Sequence, residues 1–329
     1  MAIAPIWKDY FAKGGREDSC QFCILADDAG VYFGKAYRRP DNLDILIRIN
    51  DICADYLFNE FPDIRKQFNA APLRTFQLCV LEDGEYQLYD DVEFYNDWSY
   101  DYDFNPNYNG LNCPVNGRFV LETPLPFSVL DASELEMDVN NGVAIGYVDP
   151  SSNGAGTYML DFTQIDFNGS YHLQHGDDLG LSDMGLEEYQ HYTCVDSCAR
   201  YALYYRNAYG GIDMLLMEGN HAESDNLVRH TREVEHDNTN ISNRSKSNYV
   251  NEISKSMTLY TSWLSDEESS RMHHLLNSTE VYLFDIVEQK MIPVLLTNTT
   301  TEHKTYRGNG GKLVNYAIQV TLANDRIRR

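Results

Sequence analysis

The chain has 329 residues, room for two or three domains with a sizeable core. At 43% hydrophobic and 23% charged residues it is too apolar for a disordered chain, and it holds no apolar run near the roughly eighteen residues of a membrane helix. A formal net charge of −24 argues against a surface that wraps nucleic acid as a whole, and the opening MAIAPIWKDYF has no basic segment leading into an apolar stretch, so no secretory leader is expected.

The first predicted domain covers residues 1–117. Alternation in SCQFCILA and VYFGKAY predicts two strands joined across Asp27 to Gly30, and ILIRIN predicts a third. Asn50 is placed to cap a short helix over DICADYLFNEF, which Pro62 ends. TFQLCVLE and EYQLYDDVEFYNDW flank Asp83 and Gly84 and predict a β-hairpin. DWSYDYDFNPNYNGLNCPVNG then reads as a turn-rich loop. In it Asp101, Asp103, Asn105, Asn107 and Asn109 alternate like calcium ligands. Pro106 and Asn112 stand where such a loop needs Gly and a bidentate Glu, so an ordinary loop is the better reading.

The second predicted domain covers residues 118–210. FVLETPLPFSVL, GVAIGYV, GTYMLDFTQIDF and ARYALYY are short strand candidates separated by polar turns, the pattern of a β-sandwich of immunoglobulin-like character, although the Cys-Trp-Cys signature is missing. This part of the chain is strongly acidic. Residues 75–199 hold 23 Asp or Glu against one basic residue, Arg118. Such a stretch is a solvated surface that aids solubility, or a surface that repels something anionic or collects cations.

The third predicted domain covers residues 211–329. Ser265 and Glu268 have capping-box spacing, Met272, Leu275 and Leu276 supply an apolar helix face, and Asn277 suits a left-handed stop. His273 and His274 fall inside this helix. EVYLFDI and MIPVLLT predict a hairpin, and a second is expected across Gly308 to Gly311, with Val314, Tyr316, Ile318, Val320 and Leu322 alternating on one face. The polar stretch from His221 to Asn248 reads as a surface excursion, a hairpin or a mobile loop. The expected fold is therefore mainly β: two β-sandwich-like, immunoglobulin-like domains followed by a C-terminal α+β domain with one short helix.

Motifs for chemistry are missing. No phosphate-binding glycine loop precedes a helix, and RGNGGK sits between two strands, where a hairpin turn is its natural role. No nucleophile elbow or zinc-protease motif occurs. Cys20 and Cys23 are separated by two residues and Cys194 and Cys198 by three, but a strand turns Cys20 and Cys23 to opposite faces. All four are expected to be free of disulfide and metal. No catalytic residue, cofactor or metal is expected.

The stretches CARYALYYRNAYGGIDMLLMEGN, SMTLYTSWLSDEESSRMHHLLNSTEVYLFD and IPVLLTNTTTEHKTYRGNGGKLVNYAIQVTLANDRIRR carry a resemblance, which the opening IWKDYF, INDICADYL and FYNDWSYDYD share. The chain resembles structural proteins of tailed bacteriophages and prophages of Bacteroidetes. The resemblance implies a virion component assembled in the host cytoplasm, of tail, hub or neck type. Its partners would be copies of itself in a ring and other virion proteins, with passive DNA passage rather than specific nucleic-acid binding, and no membrane.

Under this expectation Trp98, Tyr100 and Tyr102 are either core residues or subunit contacts, and Trp263 is most simply a core or staple residue beside the helix cap, with a subunit-interface anchor as the alternative. Arg326, Arg328 and Arg329 end the chain as a solvated tail, or dock on a neighbour's acidic middle. Asp90, Asp91, Glu93 and Asp97 are candidates to face a DNA conduit. Two other readings stay open: a glycan- or host-binding β-sandwich adaptor, which the many Tyr and Trp would suit, and, ranked last, a carboxylate-dyad glycosidase.

Overall fold

The computed structural model describes residues 2–7, 10–12, 19–26, 29–38, 45–57, 61–66, 68–70, 74–99, 117–120, 122–129, 135–139, 156–160, 170–175, 189–195, 198–233, 246–265, 268–298, 314–323 and 326–328. Over these residues the chain is mainly β, with several largely antiparallel sheets and two short helices.

The N-terminal part contributes β1 (Ala2–Pro5), β2 (Tyr10–Ala12), β3 (Ser19–Ala26), β4 (Ala29–Tyr37), β5 (Ile45–Ile47), α1 (Asn50–Ala54), β6 (Phe68–Ala70), β7 (Arg74–Glu82) and β8 (Glu85–Tyr95). Five of these strands form a sheet in the order β1-β8-β7-β3-β4, with β1 parallel to β8. Period-two alternation sends Phe22, Ile24, Phe76, Leu78, Val92 and Phe94 to one face. There they bury against Ile45, Ile47, Ile49, Cys53 and Leu57 of β5 and the α1 region. The expected Asp-Gly turn joins β7 to β8, with both residues at positive φ (50° and 84°), as a two-residue turn matched to strand twist requires.

The cap expected of Asn50 is not made. Ile49 takes the N-cap position without a side-chain hydrogen bond, while the Oδ1 of Asn50 is buried without a partner among the described residues. Burial of Ile49, Cys53 and Leu57 fixes this helix of barely more than one turn, as tertiary packing does for helices too short to form alone.

The middle part supplies β9 (Gly117–Phe119), β10 (Leu125–Val129), β11 (Leu135–Val139), β12 (Gly156–Leu160), β13 (Ser170–His175) and β14 (Tyr189–Cys194). They form two small sheets, β10-β12-β6 and β11-β13-β14-β9. β6, from the N-terminal part, therefore pairs with β12 across the expected division near residue 117.

The C-terminal part builds the largest sheet from β15 (Tyr201–Arg206), β16 (Ile212–Met217), β17 (His221–Glu233), β18 (Lys246–Tyr260), β19 (Val281–Asp285), β20 (Lys290–Leu296), β21 (Ala317–Leu322) and β22 (Arg326–Arg328). The order is β16-β15-β19-β20-β21-β18-β17, with β22 also on β18. The expected division at residue 210 falls in the turn between β15 and β16, which pair directly. Every residue of both strands is buried. On one face Ala202, Tyr204, Met214 and Leu216 pack with Phe119, Leu125, Phe127 and Tyr158 of the middle part. On the other face Leu203, Tyr205, Leu215 and Met217 pack with Leu259, Ile318 and the helix α2 (Arg271–Leu276). Strands covered on both faces read as continuous apolar runs, which is what YALYY and IDMLLM are.

A 3-10 turn, Glu268–Ser270, leads into α2. The capping box is made as expected: the Ser265 N–H donates to Glu268 Oε2 at 2.7 Å, and the Glu268 N–H donates to Ser265 Oγ at 3.1 Å. Asn277 does not take the left-handed conformation expected of it. Its N–H continues the helical pattern to His273 O at 3.0 Å, and the positive-φ residue nearest in the chain is Gln289, in the β19–β20 turn. The turn expected across Gly308 to Gly311 lies outside the described residues, while Ile318 and Val320 bury as predicted. Among the described residues no helix is long and apolar enough to cross a membrane.

Candidate functional site

The stretch read from sequence as a surface excursion is a long two-stranded ribbon. β17 and β18 pair from His221↔Leu259 at the root to Glu233↔Lys246 at the outer end, with one irregularity at His230/Thr231. On its other side β18 is covered by β21 at Ser256–Tyr260 and by β22 at Asn251–Ile253. β17 is the last strand of the sheet, so thirteen residues present an open backbone edge. Apart from half-buried His230, all residues of β17 are exposed, including Leu227 (50%) and Val228 (52%); Tyr249 on β18 is 51% exposed.

Charge along this ribbon is mixed. Glu223, Asp225 and Lys255 are exposed near the root, and Arg229, Arg232, Glu233, Lys246 and Glu252 are exposed in the outer half. None of Arg229, Arg232 and Lys246 makes an ion pair with a described residue, while His230 and Glu252 approach to 3.4 Å. In register, Leu227 and Ile253 share a rung with Arg326, and Arg229 and Asn251 share one with Arg328. Two of the three C-terminal arginines are thus strand residues of the ribbon rather than a loose tail. Arg329 lies outside the described residues.

The second exposed feature is the end of the β7–β8 hairpin, where residues 82–90 are all exposed. Glu82, Asp83, Glu85 and Asp90 supply its charge, and the chain has no basic residue between Arg74 and Arg118 to offset them. The neighbouring outer face of the sheet exposes Phe33 (60%) and Leu88 (55%), and Phe33 meets Tyr86 edge-on at 5.7 Å between centroids.

The four carboxylates proposed to face a conduit do not form one surface. Asp90 is exposed and its Oδ1 accepts the Asp91 N–H at 2.9 Å; Asp91 and Glu93 are half-buried, and Asp91 Oδ1 is buried without a partner among the described residues. Asp97 is fully buried and cannot face a lumen: it accepts the Ser99 N–H at 2.7 Å and the Tyr95 hydroxyl at 3.3 Å. Burial outweighs these hydrogen bonds and holds its carboxyl above the usual range.

The tryptophans divide as well. Trp263 is 58% exposed and is no core residue; its neighbour Leu264 is the buried one, since adjacent residues of an extended segment point to opposite sides. Trp98 is 37% exposed; its Nε1–H donates to Asn96 Oδ1 and its N–H to Ala208 O, both at 2.7 Å. Tyr100 and Tyr102 lie outside the described residues.

Two polar clusters that sequence reasoning missed lie inside the fold. Arg118, alone in the acidic middle, pairs with Glu268 at 3.0 Å, donates to Ser262 Oγ at 3.1 Å and lies 3.8 Å from Glu218. Glu218 is held above the usual carboxylate range by burial, against the pull of Arg118. Around the β15–β16 turn Arg206 pairs with Glu280 at 2.8 Å, and Asn207 donates to Asp213 at 2.8 Å. There the Ala208 N–H donates to Nδ1 of His274, whose pKa burial pushes down. Both clusters are spent on joining strands to helix and turn.

Cys20, Cys23, Cys53, Cys79 and Cys198 are free thiols. Cys23 stands opposite Cys79 across β3 and β7, a pairing that spacing within the sequence does not reveal; burial and its neighbour push the Cys23 thiol up to about 11. The side chain of Cys194 lies outside the described residues. Among the described residues no group of three His, Cys, Asp or Glu side chains is placed to hold a metal ion.

No family model matches the chain, and none of the curated proteins matches it either.

Proposed function

We propose that the chain is a non-enzymatic structural subunit of a bacteriophage particle, a tail, hub or neck component that joins copies of itself into a closed ring. The observation that carries this reading is β17: a thirteen-residue edge strand, exposed along nearly its whole length, offers its unpaired backbone edge to a neighbouring chain. The sequence resemblance to structural proteins of Bacteroidetes phages and prophages agrees with it. The sheets on either side of β15 and β16 are read, in the same proposal, as immunoglobulin-like sandwich units that hold the ribbon rigidly. The acidic middle then faces a DNA conduit or a basic virion protein, and its carboxylates repel phosphate over roughly one Debye length, about 8 Å at physiological salt. Asp90, Asp91 and Glu93 remain candidates for that face.

Imaging of particles that contain the chain tests the proposal: it predicts a closed ring, on the order of six or twelve copies. Single, unrepeated copies contradict it. A second reading, glycan or host binding, is favoured by the outward aromatic residues Phe33, Tyr37 (65% exposed), Tyr86 and Tyr89, since sugars stack on such rings. Retention of the chain on a glycan array, lost on Phe33→Ala with Tyr86→Ala, supports it.

A further inference from the structure

We infer that the open edge of β17 pairs antiparallel with β17 of a second copy of this chain, about a two-fold axis at Leu227. The inference rests on the reading that copies join one another, and it names the edge and register of one such contact. β17 is the last strand of its sheet among the described residues, and it is regular: at its one irregularity with β18 the extra residue lies on β18. When a strand adds to such an edge, the main chain supplies the attraction and the side chains choose the register.

The order of residues along β17 selects an identical strand. A two-fold axis normal to the sheet sets each residue opposite the one equally far beyond the axis. Leu227 is the middle residue of His221–Glu233, so an axis there pairs all thirteen residues. Asp225 of each copy then faces Arg229 of the other, His221 faces Glu233, and no two like charges meet. Asp225 and Arg229 are both exposed, and neither makes an ion pair with a described residue. The charge of the strand is nearly balanced; what matters is that Glu223 and Asp225 precede the midpoint while Arg229 and Arg232 follow it. On the axis the two Leu227 side chains meet. Each already stands beside Ile253 of β18, so one apolar rung of Ile253, Leu227, Leu227 and Ile253 crosses four strands and covers a leucine that is 50% exposed in the single chain. Neighbouring registers lose these matches. An axis at Val228 sets Glu223 against Glu233, one at Asn226 sets Asp225 against Leu227, and one at Asp225 or Arg229 sets that residue against its own copy. The contact is isologous and closes on itself, so a ring built with it holds an even number of copies.

Charge exchange on the full chain tests the register. In sedimentation velocity the wild-type chain is expected to pair. Arg229→Asp sets acid against acid at two places and Asp225→Arg sets base against base, so each variant alone is expected to lose about tenfold or more in affinity. The two variants mixed, and the double variant by itself, are expected to pair as the wild type does, because each restores opposite charges at both places. If Arg229→Asp fails to fold, Arg229→Gln gives the same loss in smaller measure. Cysteine linking reads the axis independently. Residues directly opposite lie within disulfide reach, whereas diagonal neighbours stand roughly 7–8 Å apart. Under oxidised glutathione Leu227→Cys is therefore expected to give a linked dimer, and Val228→Cys, whose residue faces Asn226, is not. A chain that stays single at every concentration, affinities untouched by charge exchange, or linking no greater from Leu227→Cys than from Val228→Cys each overturns this contact. The ring reading is then decided separately, by the number of copies in particles.

Discussion

Arg118 shows how one residue in a region of opposite charge is used. It is the single cation in residues 75–199, and the fold spends it internally, on Glu268 of the capping box and on Ser262, with Glu218 close by. Removing it strands two carboxylates in a part-buried site, which costs more than the ion pair itself contributes. Arg118→Met is expected to lower stability by about 2 kcal/mol, below the figure for a fully buried pair because its side chain is 31% exposed. Ser265→Ala, which removes only the cap acceptor, is expected to cost about 1 kcal/mol. Urea unfolding of both variants checks the order; equal losses would mean that Arg118 acts only through the cap. Gly210 is a second such position. Its φ is +89°, and a Cβ there would stand 2.7 Å from the carbonyl oxygen of Asn96, beside the Trp98-to-Ala208 hydrogen bond that ties the N-terminal sheet to the large one. Gly210→Ala is expected to destabilise by roughly 1–3 kcal/mol, since backbone strain and a backbone clash add. A melting temperature within a degree of wild type would contradict the close approach.

At the scale of elements, α2 carries a pH dependence. Its His274 is pushed down chiefly by burial, with His273 and Arg271 adding repulsion and Asp213 opposing them. The neutral ring also accepts the Ala208 N–H at 3.3 Å through Nδ1, a bond that protonation at that atom removes. The folded state therefore binds fewer protons at His274 than the unfolded state. Its contribution is fully present above the ordinary value of 6.5 and is lost as pH falls through that value towards the lower folded one. His274→Gln, which can keep an acceptor for Ala208, is expected to flatten the stability difference between pH 8 and pH 5.5; an unaltered slope would show that another group carries it. Elements set by local chemistry were legible in the sequence: the Asp83-Gly84 turn, the Ser265–Glu268 box, and the strand through Cys20 and Cys23. The ribbon was not. Both its faces meet solvent, so β17 has no apolar alternation to announce a strand, and only its pairing with β18 defines it. Cys23 opposite Cys79 and Asp97 buried beside Tyr95 were hidden for a related reason, because burial of a polar group depends on which distant strand arrives beside it.

At the scale of the molecule, β15 and β16 are the fixed centre. They bury both faces, against the middle sheets on one side and α2 on the other, while the β7–β8 hairpin belongs to a separate sheet with its own core. The mainly β class was readable from strand-length runs and turn residues. The placement of sheets was not, since β6 crosses from the N-terminal part to pair with β12 and β15 opens the C-terminal sheet; such pairings join residues far apart in sequence. A thirteen-residue edge left open among the described residues is a hazard for a lone chain and a joint for an assembling one. Counting copies by electron microscopy of particles containing the chain decides between the two most directly. The account predicts a closed ring in which every ribbon is covered by the neighbouring copy, and a particle in which the chain occurs singly, with its ribbon bare, would contradict it.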